Sequence, residues 1–77
     1  MTVKFYDSGF DSCIELIFDS DEATVKEYIY HSTQHIKSDT FDCKQLSDAI
    51  FFVKEVYKFA EEISSQKFTE LVDTRFL

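Results

Sequence analysis

The chain has 77 residues, with fifteen acidic against eight basic side chains, a net charge of −7, one glycine, no proline and two cysteines. That length holds a single domain, residues 1–77. So acidic a chain is a poor fit to nucleic-acid phosphates or an anionic membrane face, and no run approaches the roughly 20 apolar residues of a spanning helix.

The first segment alternates, with Val3 and Phe5 on one side and Lys4 and Tyr6 on the other. Residues 12–19 alternate again, Ile14, Leu16 and Phe18 opposite Cys13, Glu15 and Ile17. This period of two, rich in β-branched and aromatic residues, predicts a β-hairpin over about 2–19. Its turn contains Gly9, expected to supply a positive φ for the reversal.

Asp19-Ser20-Asp21-Glu22 reads next as a helix N-cap with first-turn carboxylates. Val25, Tyr28, Ile29 and Ile36 follow at helical spacing, which predicts a helix over about 21–37. A second start at Thr40-Phe41-Asp42 leads into Leu46, Ala49, Ile50, Val53, Val56, Tyr57, Ala60 and Ile63, in alternating steps of three and four. That pattern predicts a long helix over about 41–63. After a break at Ser64-Ser65, Phe68, Leu71, Val72 and Phe76 give a third helix over about 66–75. The expected fold is therefore α+β, an N-terminal β-hairpin packed on two or three helices (ββαα or ββααα). An isolated hairpin leaves both edges unpaired, open to self-association or a partner strand.

Motifs for chemistry are scarce. Glu27, His31 and His35 would share one stripe of the first helix, and two His at i, i+4 can chelate zinc. There is no HExxH, CxxC or fixed third ligand, so no metal or other cofactor is expected. Asp19 to Glu22 lacks the glycine and distal Glu of a calcium loop. Glu61 and Glu62 are adjacent and would diverge on a helix. No nucleophile elbow, phosphate loop or dinucleotide fingerprint occurs, and no enzyme is expected. Cys13 and Cys43 are expected as free thiols in a soluble, cytoplasmic protein, since Met1-Thr2-Val3-Lys4 opens no export signal.

Charge is distributed unevenly. Through Glu22 the chain holds Asp7, Asp11, Glu15, Asp19, Asp21 and Glu22 against Lys4 alone, a local −5, leaving −2 for the remainder. These six acids are the first candidate for a partner-binding patch, facing a basic protein or imitating nucleic-acid phosphate. Phe51, Phe52 and Phe59, off the apolar stripe of the long helix, are the second candidate, for partner docking or a homodimer. The expected function is that of a small acidic inhibitor or adaptor that masks a basic, nucleic-acid-binding surface of a partner protein. In size and acidity the chain is of the type of small phage-borne inhibitors, an analogy that no motif carries. The alternatives are an immunity protein or antitoxin neutralising a basic toxin, and a homodimeric structural module.

Overall fold

The structure, a computed structural model, describes residues 1–29 and 36–75. Among the described residues there are five strands and two helices. They run β1 (Thr2–Asp7), β2 (Ser12–Asp19), β3 (Glu22–Ile29), β4 (Ile36–Asp42), α1 (Leu46–Val56), β5 (Ala60–Ile63) and α2 (Ser65–Arg75). The strands form one antiparallel sheet in the order β4-β3-β2-β1-β5. The expected ββαα arrangement is thereby overturned: the protein is β-rich, with strands where the first helix was expected.

The β1–β2 hairpin is present, registered from Thr2↔Ile17 to Asp7↔Ser12. Gly9 does not have a positive φ; the left-handed residue of this turn is Asp11, at φ 54°. The close neighbour of Gly9 is instead the exposed Phe59 ring, which a larger side chain here would push aside. A Cβ there would stand 2.7 Å from Cδ2 of Phe59.

The helix expected over 21–37 is replaced by β3 and β4. Asp19-Ser20-Asp21-Glu22 is a two-residue hairpin turn rather than a helix cap, with Ser20 at φ 57° and Asp19 paired to Glu22. The physical reason lies in β2, which is apolar on both faces. A central strand of that kind buries both rows only within a larger sheet. β3 supplies the neighbour, placing Ala23 and Val25 across from Phe18 and Leu16. The stripe of Glu27, His31 and His35 therefore has no helix to stand on at Glu27, and both histidines lie outside the described residues.

The helix expected over 41–63 is also too long. α1 begins after Gln45, whose backbone is extended and whose carbonyl accepts the N–H groups of Asp48 (3.1 Å) and Ala49 (3.3 Å). It ends at Tyr57, whose N–H reaches the Val53 carbonyl at 2.7 Å. A turn closed by Ala60 N–H on the Tyr57 carbonyl (3.0 Å) then leads into β5. β5 pairs with β1 from Asp7↔Ala60 to Lys4↔Ile63. So the hairpin edges expected to be free are covered by β3 and β5, and the sheet's outer edges belong to β4 and β5. The third helix is α2, capped by Ser64: its Oγ accepts Lys67 N–H at 3.1 Å and its carbonyl accepts Phe68 N–H at 3.0 Å.

Alternation gives the sheet two faces. Phe5, Ile14, Leu16, Ala23 and Val25 line one and pack against Ala49, Val53 and Tyr57 of the α1 segment, with Cys43 and Ala60 closing the core. On the other face Phe68 of α2 meets Tyr28 edge-on (5.4 Å between centroids), and the Lys4 ammonium lies 5.1 Å from the same ring. The sheet is thus sandwiched between one helix on each side. No described helix is long and apolar enough to cross a membrane.

Candidate functional site

The six acids of the N-terminal segment do not form one patch. Asp7 is fully buried at the end of β1. Its Oδ2 accepts Phe10 N–H and its Oδ1 accepts Phe59 N–H, both at 2.9 Å, so one carboxylate ties the β1–β2 turn to the loop before β5. Asp11 accepts the Tyr6 hydroxyl. Glu15 sits on the α2 face between Lys4 and Lys26 of the flanking strands and accepts the Tyr28 hydroxyl at 3.3 Å. Burial, then the nearby Glu15 carboxylate, raises the Tyr28 phenol above its ordinary range. These three acids are committed to internal contacts.

Asp19, Asp21 and Glu22 are exposed at the opposite end of β2. An eight-residue strand at roughly 3.3 Å per residue puts the two ends more than ~20 Å apart. The fold adds two acids here that sequence reasoning missed. Asp42 is the cross-strand neighbour of Glu22, as Asp19 is on the other side, so Asp19, Glu22 and Asp42 form one row across three adjacent strands. Asp48, in the first turn of α1, is the other. Neither carries a local signal: Asp42 reads as part of a helix start, and its register with Glu22 exists only once β3 and β4 pair.

Beside this row lies an open cleft of about 700 Å³, lined by Asp21, Phe41, Asp42, Cys43, Lys44 and Asp48. The backbone holds it in shape. Cys43 N–H donates to the Asp21 carbonyl at 2.8 Å, joining the exit of β4 to the β2–β3 turn. The buried Cys43 thiol contacts the Gln45 carbonyl at 3.1 Å. Asp48 offsets the positive end of the α1 dipole. The cations at this end are Lys44 and the Met1 ammonium, which donates to the Phe18 carbonyl at 2.9 Å. Among the described residues none of the five carboxylates forms an ion pair. Phe41 gives the cleft an apolar wall, its ring centroid 4.5 Å from that of Phe52. A carboxylate rim beside an aromatic ring suits a lysine or arginine side chain, whose stem packs on the ring while its head meets the acids. The described residues hold no cluster of three or more His, Cys, Asp or Glu able to bind a metal.

The aromatic candidates separate as well. Phe51, 66% exposed, stands on the outer face of α1, while Phe52 leans onto Phe41. Phe59 is not helical; it follows Tyr57 in the loop before β5 and is 65% exposed beside Gly9. Phe10, missed in the sequence, is equally exposed in the β1–β2 turn and meets Tyr57 edge-on at 6.1 Å. Beneath these rings the Glu27 carboxylate accepts the Tyr57 hydroxyl (2.8 Å) on one oxygen and the Ser12 hydroxyl (2.9 Å) on the other. Burial, then the hydrogen bond to Glu27, pushes the Tyr57 phenol far above its ordinary range.

Compared with protein-family models, curated proteins and solved structures, the chain finds no match.

Proposed function

We propose that the chain is a small acidic inhibitor or adaptor, a binding protein rather than an enzyme, that masks a basic, nucleic-acid-binding surface of a partner protein. The observation that carries this reading is the group of acids at this end of the sheet: Asp21, Asp42 and Asp48 around the Phe41 cleft, with Asp42 continuing into the row Asp19–Glu22–Asp42 on the α2 face. Like charges directly opposite one another on neighbouring strands oppose folding. A surface that keeps three in line, without an ion pair, is built for a cationic visitor. The contact surface thus differs from the one expected along the hairpin: Asp7, Asp11 and Glu15 act as scaffold, and Asp42, Asp48 and Phe41 join the binding set. A cytoplasmic setting belongs to the same reading. Cys13 and Cys43 lie on opposite faces of the sheet and are not joined in a disulfide, which suits a reducing compartment.

The test is binding of a labelled arginine-rich peptide, read by fluorescence anisotropy across a salt series. Binding should weaken as salt rises and should fall at least about tenfold in the triple variant Asp21→Asn, Glu22→Gln, Asp42→Asn. Glu61→Gln with Glu62→Gln, on β5, removes charge elsewhere and should leave affinity nearly unchanged. Equal weakening by both variants would mean that net charge alone attracts the peptide, and the proposed site would fall. Masking is then tested directly, by whether the chain displaces duplex DNA or RNA from the basic protein it captures.

A further inference from the structure

The outer edge of β4 carries an inference independent of the acidic cleft. β4 ends the sheet and pairs with β3 in unbroken register over seven residues, from Glu22↔Asp42 to Tyr28↔Ile36. No described strand pairs with its other side. An edge of that length, free of proline and bulges, presents a regular row of backbone donors and acceptors to a further strand. β5, the opposite edge, has four residues. Beside β4 on the α1 face, Phe41 and Phe52 pack together, and Phe52 remains 38% exposed. The edge therefore adjoins apolar surface.

We propose that β4 pairs antiparallel with β4 of a second copy of this chain, about a two-fold axis at Ser38, to give a continuous sheet across the dimer. The charges select both the partner and the register. Lys37 and Asp39 are exposed and project from the same face of the strand, two residues apart. Lone charges on an edge strand normally deter pairing. Centred on Ser38, however, each Lys37 stands opposite Asp39 of the second copy, and the pair occurs twice. Lys37 then lies between that aspartate and Glu27, its neighbour on β3. Centring on Asp39 would oppose two aspartates, and centring on Lys37 two lysines. The edge is thus self-complementary in one register and self-repelling in the registers on either side of it.

Sedimentation velocity over a concentration series up to the submillimolar range tests the proposal on the full chain. A reversible dimer is expected. Lys37→Asp or Asp39→Lys alone replaces two opposite-charge pairs with two like-charge pairs and should weaken dimerisation by about tenfold or more. The double swap should restore it. As a second measurement, Ser38→Cys should oxidise readily to a covalent dimer, because the two-fold axis brings position 38 against itself, whereas Ser47→Cys on α1 should not. A chain that stays monomeric throughout, or a dimer indifferent to the single reversals, overturns the inference. So does a dimer lost through Phe51→Ser while the β4 charges have no effect.

Discussion

Asp7 shows how much one side chain can determine here. Fully buried, it holds two backbone N–H groups from loops 49 residues apart in sequence, those of Phe10 and Phe59. Asp7→Ala would leave both donors without a partner, at a cost of about 3 kcal/mol in urea unfolding. Asp7→Asn keeps one acceptor oxygen and should cost less. Tyr57 gives a pH signature. Its phenol titrates above the ordinary value of 10.0 in the folded chain because burial and Glu27 both disfavour phenolate. Folding stability from this group is therefore fully present below pH 10 and is lost as pH rises beyond it, where the unfolded chain releases the proton first. Urea midpoints should fall more gently above pH 10 in Tyr57→Phe than in the wild type. If the two profiles run parallel, Tyr57 is not the group responsible. At neutral pH the same variant should lose about 1 kcal/mol, the net value of one hydrogen bond.

The turns and helices explain which parts of the fold were legible in the sequence. The β1–β2 hairpin was legible because strict alternation over 2–7 and 12–19 fits only a period of two. Residues 22–29 were ambiguous. Val25, Tyr28 and Ile29 fit a helical stripe, while Ala23 and Val25 equally fit the buried face of a strand. Ser and Asp serve caps and turns alike, so Asp19-Ser20-Asp21-Glu22 could not decide between them. Tyr57 and Ala60 continue the spacing of α1 from a turn and a strand, because each is drawn to the same core. β5, Ala-Glu-Glu-Ile, is a good helix former held extended only by pairing with β1. Ser20, exposed at φ 57°, occupies a position that glycine fills without strain. Ser20→Gly should therefore stabilise the chain by about 0.5–1 kcal/mol, seen as a rise in Tm of several degrees. The opposite applies to α2, whose eleven residues are too few for a stable isolated helix. Phe68, buried against Tyr28 and Lys4, fastens it to the sheet. Phe68→Ala should cost about 3 kcal/mol and release α2, so that amide exchange over 65–75 accelerates while protection in β1 and β2 persists.

The assembled sheet sets stability against binding. Of the candidate acids read from the sequence, Asp19, Asp21 and Glu22 are exposed together, and the partners that make them a site come from β4 and α1. No local pattern could have announced Asp42 or Asp48, since their nearness depends on long-range pairing. That pairing has an energetic consequence that separates a binding surface from ordinary solubility. Glu22 faces Asp19 on one side and Asp42 on the other. Glu22→Gln relieves both repulsions and should raise folding stability by about 0.5 kcal/mol. Glu22→Lys turns each into an attraction and should raise it by about 1 kcal/mol, less at high salt because the row is solvent-exposed and screened. Both changes should weaken binding of the arginine-rich peptide, Glu22→Lys the more. Urea unfolding and anisotropy on the same three proteins would show stability and affinity moving in opposite directions. If Glu22→Lys instead destabilised the chain, the row would be part of the scaffold, and the cationic-partner reading would lose its main support.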